Sequence, residues 1–168
     1  MELYFLRHGV AADRSEGGAS HDSERALTAA GIKQMKEIAK GMKRLGVSFD
    51  HVLSSPYLRA RQTAEIVAEI MGFKGKISFS EILTPNTDFK GFVDLLKDFE
   101  SDENLLFVGH QPALGSFISG LISGGDHILI DLKKGGLCRV DTSELGIAAL
   151  AELEWLLGPE QLCLNNPS

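Results

Sequence analysis

Short apolar segments alternate with amphipathic helical patterns along most of this 168-residue chain. Six segments have the length and apolar or β-branched content of strands, at residues 1–5, 51–54, 76–79, 104–109, 127–132 and 136–140. Four helices are predicted between them, from Thr28 to Gly46, Tyr57 to Met71, Phe89 to Phe99 and Pro112 to Ser123. This alternation predicts an α/β fold, a three-layer sandwich in which a mainly parallel sheet carries helices on both faces.

The C-terminal part of the chain is less regular. Lys133-Lys134-Gly135 is typical of a hairpin turn and would join the strands at residues 127–132 and 136–140. Residues 147–156 favour one more strand over a helix, and residues 159–168 are expected to be a frayed tail. We therefore predict a single domain over residues 1–158.

Composition excludes several classes of protein. A net charge of −6 argues against broad nucleic-acid binding, although a local cluster of arginines around an anion remains compatible with it. Cys138 and Cys163 show neither metal-ligand spacing nor a disulfide framework, so no metal site is expected from them.

No membrane association is expected either. Charged residues near the N-terminus leave no room for the apolar core of a secretory signal. Residues 104–125 carry no Asp, Glu, Lys or Arg, but their His, Gln, Pro and Ser content indicates a buried strand, a turn and a core helix. We expect a cytoplasmic protein without a membrane partner.

Chemically capable side chains follow three of the predicted strands. Arg7 and His8 end the first strand, Arg59 begins the helix after the second, and His110 follows the strand at 104–109. Ligands of such sheets bind beyond the carboxyl ends of strands, so these four side chains are expected to meet at one edge. Gly9 could adopt a positive φ there, or let a ligand approach the backbone closely.

Each of these residue types suits an anion site. An arginine presents a planar fork of donors to phosphate or carboxylate, and a histidine near neutral pH can attack an electrophile or bind an anion. Taken singly, each also has a structural explanation: Arg7 and His8 as a chance surface pair, Arg59 as a solvated charge, and His110 as a capping or packing residue. Their convergence favours function.

The polar segment at residues 13–25 leaves directly from this edge. It contains paired glycines and few apolar residues, which predicts a long loop. Long loops in compact domains are often functional, so a lid over the site or a substrate-binding loop is the hypothesis for it.

Three motifs resemble the histidine phosphatase, or phosphoglycerate-mutase-like, superfamily. They are Leu-Arg-His-Gly at 6–9, Ser-Ser-Pro-Tyr-Leu-Arg-Ala-Arg-Gln-Thr-Ala at 54–64 and Val-Gly-His-Gln-Pro at 108–112. The small size and the run Asp-Ser-Glu-Arg-Ala-Leu-Thr-Ala-Ala-Gly at 22–31 are most similar to its short branch, the phosphohistidine phosphatases called SixA. The likeness covers about the first 140 residues.

The resemblance implies a role for each matched residue. His8 would be the nucleophile that takes the phosphoryl group, and Arg7, Arg59 and His110 would form the phosphate pocket with Gly9. Arg25 would add a further phosphate or substrate contact, with a surface ion pair to Asp22 as the alternative. No cofactor or metal is implied.

One family feature, the acid that protonates the leaving oxygen, has no clear match here. Asp88 is the first candidate and Glu81 the second, the alternative for Asp88 being a cap of the helix that begins at Phe89. A poorly defined acid favours phosphohistidine over an alkyl phosphate, because imidazole is the better leaving group.

The expected function is therefore a metal-independent phosphatase of protein phosphohistidine, whose partner could be a phosphotransfer domain. A phosphatase of small esters and a catalytically silent phosphate-binding module are the alternatives.

Overall fold

The computed structural model describes residues 1–13, 20–125, 127–143 and 151–164. Within these residues, six strands form one sheet in the order β3-β2-β4-β1-β5-β6. Their bounds are β1 Glu2–Arg7, β2 His51–Ser54, β3 Ile77–Phe79, β4 Leu105–Gly109, β5 Leu137–Asp141 and β6 Glu152–Leu157. Strands β1 to β4 are parallel, while β5 is antiparallel to β1 and β6 is antiparallel to β5. The predicted mainly parallel sheet is confirmed.

In the described ranges, five α-helices accompany this sheet: α1 Ala29–Arg44, α2 Leu58–Met71, α3 Phe89–Leu96, α4 Ala113–Ser123 and α5 Pro159–Cys163. The predicted start of α1 is confirmed, because the Thr28 side chain accepts a hydrogen bond from the backbone N–H of Gly31 at 2.9 Å. Helix α2 ends as expected at Gly72, which takes the left-handed conformation with φ of 74°. Among the described residues, no helix is long and apolar enough to cross a membrane.

The alternating side chains of β1 divide the core into two layers. Leu3 and Phe5 face the layer formed with α3 and α4, whereas Tyr4 and Leu6 face the layer formed with α1, α2 and α5. All four side chains are buried, because a central strand with helices on both faces has no solvent-facing side. The predicted three-layer sandwich is therefore confirmed.

The register of the three central strands positions the functional edge. Arg7 of β1 lies opposite Gly109 of β4, and Ser54 of β2 lies opposite Val108. The residue after each strand consequently emerges at the same edge of the sheet. In addition, the backbone N–H of His8 donates to the Gly109 carbonyl at 3.1 Å, which extends the ladder one residue beyond β1.

The prediction of a strand at residues 127–132 is wrong. Residues 127–132 pair with no strand of the described chain, and their backbone groups bond side chains instead: Ile130 O accepts from Gln111 and Leu132 O accepts from Arg7. Strand β5 pairs with β1 and β6, so Lys133-Lys134-Gly135 does not join two strands of a hairpin. This turn packs on β1, where the Gly135 N–H donates to the Arg7 carbonyl at 3.0 Å.

The C-terminal predictions are partly corrected. Strand β6 confirms the later part of the strand expected at 147–156, while residues 147–150 lie outside the described chain. The predicted fraying of the tail is wrong for Pro159–Cys163, which forms α5. Leu162 is buried, and its backbone lies close against Gly41 of α1, so apolar burial orders this segment.

Candidate active site

His8 lies immediately after β1, and its side-chain contacts determine its tautomer. Nδ1 donates to the carbonyl of Gly9 at 2.7 Å, so Nε2 carries the lone pair and accepts a hydrogen bond from Nε of Arg59 at 3.2 Å. Burial lowers the pKa of His8 to about 3, an effect that the Gly9 bond opposes and the charges of Arg59, Arg7 and Lys134 reinforce. His8 is therefore a neutral imidazole whose Nε2 faces a cation.

Arg59 lies in the first turn of α2 with a nearly buried side chain. Its Nη1 donates to the backbone carbonyl of Asp22 at 2.6 Å, and its Nη2 donates to the Asp22 carboxylate at 2.9 Å. The guanidinium also lies over the ring of Tyr57, 5.2 Å from its centre. The alternative of a solvated charge is excluded, because the side chain is only 5% exposed.

His110 follows β4, and its ring lies 4.9 Å from the ring of His8 between centroids. Its Nε2 lies 2.8 Å from Oγ of Ser55, and that oxygen already accepts the backbone N–H of Tyr57. Among the described residues, Nε2 is the acceptor within hydrogen-bonding distance of the proton of this buried hydroxyl, so the Ser55 hydroxyl donates to Nε2 and the proton of the neutral ring is on Nδ1. Burial, together with the neighbouring His8 and Arg59, lowers the pKa of His110 to about 2.

The side chain of Arg7 is held by the segment at residues 127–132. Its Nη1 donates to the carbonyl of Leu132 at 2.6 Å and lies 3.9 Å from the Asp131 carboxylate. Among the buried side-chain nitrogens and oxygens of the described residues, Nε of Arg7 and Nδ1 of His110 have no hydrogen-bond partner. Unpaired buried donors are costly, and they are therefore typical of sites that bind an acceptor.

Arg25 joins the site through Asp22. Its Nη1 donates to Oδ1 of Asp22 at 2.9 Å, and its Nε donates to the carbonyl of Ala12 at 2.7 Å. The ion pair considered from sequence is therefore present, and the same carboxylate also binds Arg59. Although burial raises the pKa of Asp22, the hydrogen bonds from Arg25 and Arg59 lower it below its usual value. Asp22 is consequently an anion between two arginines.

The base of the 13–25 loop is closed by backbone pairing. The N–H of Ala12 donates to the carbonyl of Ala26 at 2.9 Å, and Ala11 and Leu27 form an antiparallel bridge. The C-terminal limb is anchored at Asp22, in a single 3₁₀ turn at Asp22–Glu24. Residues 14–19 lie outside the described chain, so the lid hypothesis remains a prediction for them.

Gly9 was expected to adopt a positive φ or to let a ligand approach its backbone, and its backbone is instead bonded within the protein. It is not among the glycines with positive φ in the described chain, and both of its backbone polar groups bond within the protein. A Cβ atom on Gly9 would lie 2.7 Å from Cγ of Met35. The residue is small because α1 packs directly on this turn, and its N–H donates to Thr63 rather than being free for a phosphate.

Neither acid candidate is joined to the site by a hydrogen bond or ion pair in the described chain. Asp88 is the N-cap of α3, where its carboxylate accepts the N–H of Gly91 at 2.7 Å. The structure thus shows the capping alternative for Asp88. Glu81 begins a 3₁₀ turn, and the backbone of that turn packs against Gly109. An acid role for either residue remains a hypothesis.

Three residues of the site were not identified from sequence as functional. Ser55 fixes the tautomer of His110, Asp22 holds Arg59, and Thr63 accepts the Gly9 N–H at 3.1 Å while donating to the Arg59 carbonyl at 2.8 Å. Thr63 lies four residues after Arg59 on α2, which is the spacing that places its hydroxyl on that carbonyl. All three lie in the runs at residues 22–31 and 54–64 that resemble the family, and this position is the sequence signal that could have identified them.

The arrangement can bind an anion and attack it. The unprotonated Nε2 of His8 accepts from Arg59, the ring of His110 lies beside that of His8, and Arg7 precedes His8 in the chain. Among the described residues no cluster of His, Cys, Asp or Glu could hold a metal ion. A cavity of about 480 Å³ begins beside the site, where Gln111 and Ile130 are among its lining residues.

Comparisons with known proteins agree with the geometry. The model of the histidine phosphatase superfamily (branch 1) matches residues 3–83. A protein of Picosynechococcus sp. is 37% identical, with 94% of each chain covered. Phosphohistidine phosphatase SixA of Escherichia coli K12 is 32% identical over 74% of this chain and 76% of its own. A structure of the protein histidine phosphatase SixA complexed with tungstate has a TM-score of 0.84 at 27% identity, with 96% of this chain and 99% of that chain covered.

Proposed function

Because this chain belongs to the SixA-type branch of the histidine phosphatase superfamily, we propose that it removes phosphoryl groups from protein phosphohistidine through a covalent intermediate on His8. The observation that carries the proposal is the lone pair on Nε2 of His8, which faces Nε of Arg59 at 3.2 Å. A nucleophile is most useful when it is unprotonated beside the charge that will stabilise its product.

The proposed first step transfers the phosphoryl group to His8. The substrate ring takes a proton from solvent at its other nitrogen, and Nε2 of His8 attacks the phosphorus. The P–N bond breaks, its electron pair remains on the substrate nitrogen, and neutral imidazole leaves. The hydrogen bond from Nδ1 of His8 to the Gly9 carbonyl stabilises the ring as it gains positive charge. In the second step water attacks the phosphorus, the bond to Nε2 breaks, and phosphate leaves with His8 restored.

Positive charge and donors around Nε2 would hold the phosphoryl oxygens. Arg59 and Arg7 supply fixed charge, and the unpartnered Nε of Arg7 and Nδ1 of His110 are free to donate. Arg25 is separated from Arg59 by the Asp22 carboxylate, and it would act on the substrate directly or through Asp22. In this proposal the arginines neutralise the transferring group, so no metal ion is required.

The leaving group supports phosphohistidine over alkyl esters. An alkoxide has a conjugate acid about as weak as water, with a pKa of roughly 16, whereas imidazole has a pKa of about 6.5 and leaves far more easily. In the described chain, the carboxylate that binds Arg59 beside His8 is Asp22, whose pKa is lowered by two arginines. It is therefore a poor proton donor. The partner we propose is a cytoplasmic phosphohistidine-bearing protein, for example a phosphotransfer domain.

The decisive experiment compares turnover of a phosphohistidine protein with that of a panel of phosphate esters, with and without a chelator. His8→Ala tests the nucleophile, and His51→Gln is its matched control, because His51 lies at the end of β2 away from the site. Wild type and the control should turn over phosphohistidine preferentially and acquire label from a radioactive substrate. His8→Ala should do neither.

Each other outcome excludes part of the proposal. Turnover of small esters alone would leave a histidine phosphatase with a different substrate. Phosphate binding without turnover of any substrate would identify a silent binding module, and loss of activity with the chelator would contradict metal independence.

A further inference from the structure

We propose that Asp22 is a positioning residue that orients Arg59 towards the reacting atom of His8. This inference rests on the proposed function, because the orientation matters only if a phosphoryl group is bound at Nε2. Nothing in the quoted motifs distinguishes this role for Asp22 from that of a surface ion-pair partner.

The first argument is which edge of the guanidinium each partner occupies. Asp22 takes the end of the group, with its carbonyl 2.6 Å from Nη1 and its Oδ2 2.9 Å from Nη2. The side of the group, at Nε, points to Nε2 of His8. An arginine has donors on both edges, so it can be held at one edge while the other binds a phosphoryl oxygen.

The second argument is that Asp22 is itself fixed. Its other carboxylate oxygen, Oδ1, accepts from Arg25 at 2.9 Å, and Arg25 is anchored to the carbonyl of Ala12. Its backbone belongs to the 3₁₀ turn at Asp22–Glu24. A carboxylate bound on two sides can transmit its position to Arg59, whereas a freely rotating one would not.

The opposing hypothesis is that Asp22 blocks the pocket by occupying Arg59 in place of phosphate. The contacts favour positioning, since Asp22 binds Nη1 and Nη2 of Arg59 and leaves its Nε to His8. In the part of the chain that the structure describes, no hydrogen bond joins Asp22 to His8, Arg7 or His110. The two hypotheses predict opposite effects of removing the side chain.

The test is a double-mutant cycle of Asp22→Ala and Arg59→Ala, measured as kcat/KM on a phosphohistidine protein and as the Kd of inorganic phosphate. With Arg59 present, Asp22→Ala should lower kcat/KM by roughly 10- to 100-fold, because a small misplacement of a catalytic group has that cost. With Arg59 absent, Asp22→Ala should change either quantity by less than about threefold, since coupled residues are not additive.

Glu24→Gln is the matched control, because Glu24 lies on the same turn and no hydrogen bond or ion pair of the described chain joins it to Arg59. It bonds Ser20 and the N–H of His21, and glutamine retains an acceptor for them. We expect it to keep kcat/KM within about twofold of wild type, as for an ordinary surface substitution.

Two results would overturn the inference. Faster turnover or tighter phosphate binding by Asp22→Ala would show that the carboxylate blocks the site. An equal loss in the presence and absence of Arg59 would show that Asp22 acts through the fold of the loop. If wild type hydrolyses no substrate, the proposed function fails, and the Kd of phosphate across the same cycle still decides whether Asp22 acts through Arg59.

Discussion

Arg59 donates its Nε–H to Nε2 of His8 across 3.2 Å, so a permanent cation lies against the nitrogen of a neutral imidazole. This contact opposes protonation of His8 and places charge where the product of phosphoryl transfer would be negative. The same pair therefore connects the unusual pKa of His8 to the chemistry proposed for it.

Replacing Arg59 with lysine should abolish this relationship while conserving charge. Lysine has a single ammonium group and cannot bind Asp22 and a phosphoryl oxygen at two edges. We expect kcat/KM on phosphohistidine to fall by roughly 100- to 1000-fold, as for loss of a donor to a developing anion. Arg61→Lys is the control, because Arg61 is exposed on the same helix and pairs with Glu65. Near-normal activity of Arg59→Lys would refute the proposal that Arg59 binds Asp22 and a phosphoryl oxygen at the same time.

Replacing Ser55 with alanine should impair turnover more than stability. The variant loses the hydroxyl that sets the tautomer of His110, so Nδ1 no longer carries the proton reliably and kcat should fall by about tenfold or more. Ser54→Ala is the matched control, since Ser54 is equally buried and its hydroxyl donates to the Ser55 carbonyl. Both variants should lose about 1 kcal/mol of unfolding free energy. Equal activities of the two variants would refute the role of Ser55.

The stability of the protein should decrease as the pH falls below about 6.5, the ordinary pKa of histidine in an unfolded chain. Burial lowers the pKa of His8 to about 3 and that of His110 to about 2, so the unfolded state binds more protons between these values and pH 6.5. The contribution of the two histidines to the free energy of unfolding is complete above pH 6.5 and is lost progressively as the pH falls towards 3. Each histidine adds a slope of up to about 1.4 kcal/mol per pH unit.

Denaturant unfolding between pH 5 and 8 would measure this slope. In His110→Gln, the slope of unfolding free energy against pH should be smaller than in wild type below pH 6. The difference should reach up to about 1.4 kcal/mol per pH unit, which corresponds to one bound proton. An unchanged slope would show that His110 binds as many protons in the folded protein as in the unfolded chain, so that its pKa is not lowered.

Substitutions of Asp88 should separate capping from acid catalysis. Asparagine caps a helix about as well as aspartate but cannot donate a carboxylic proton, so Asp88→Asn should keep both stability and phosphohistidine turnover. Asp88→Ala should lose about 1 kcal/mol of unfolding free energy with little further change in kcat. A large loss of turnover in Asp88→Asn would instead identify Asp88 as the acid.

The sequence by itself determined the layer architecture and the four residues that meet at the sheet edge. Strand and helix periodicities follow from local chemistry, and parallel strands place the residues after their carboxyl ends together, so Arg7, His8, Arg59 and His110 could be grouped without coordinates. The helix caps at Thr28 and Gly72 were predictable for the same local reason.

Tertiary structure decided what each of these residues does with its neighbours. Residues 127–132 have strand-like composition, but their carbonyls bind Gln111 and Arg7. The tail at 159–163 has no strong local signal for a helix, and it is ordered because Leu162 is buried against α1. The roles of Ser55 and Asp22 depend on contacts with residues 55 and 37 positions away. Such long-range contacts depend on how distant segments pack, which the local pattern of the chain does not encode.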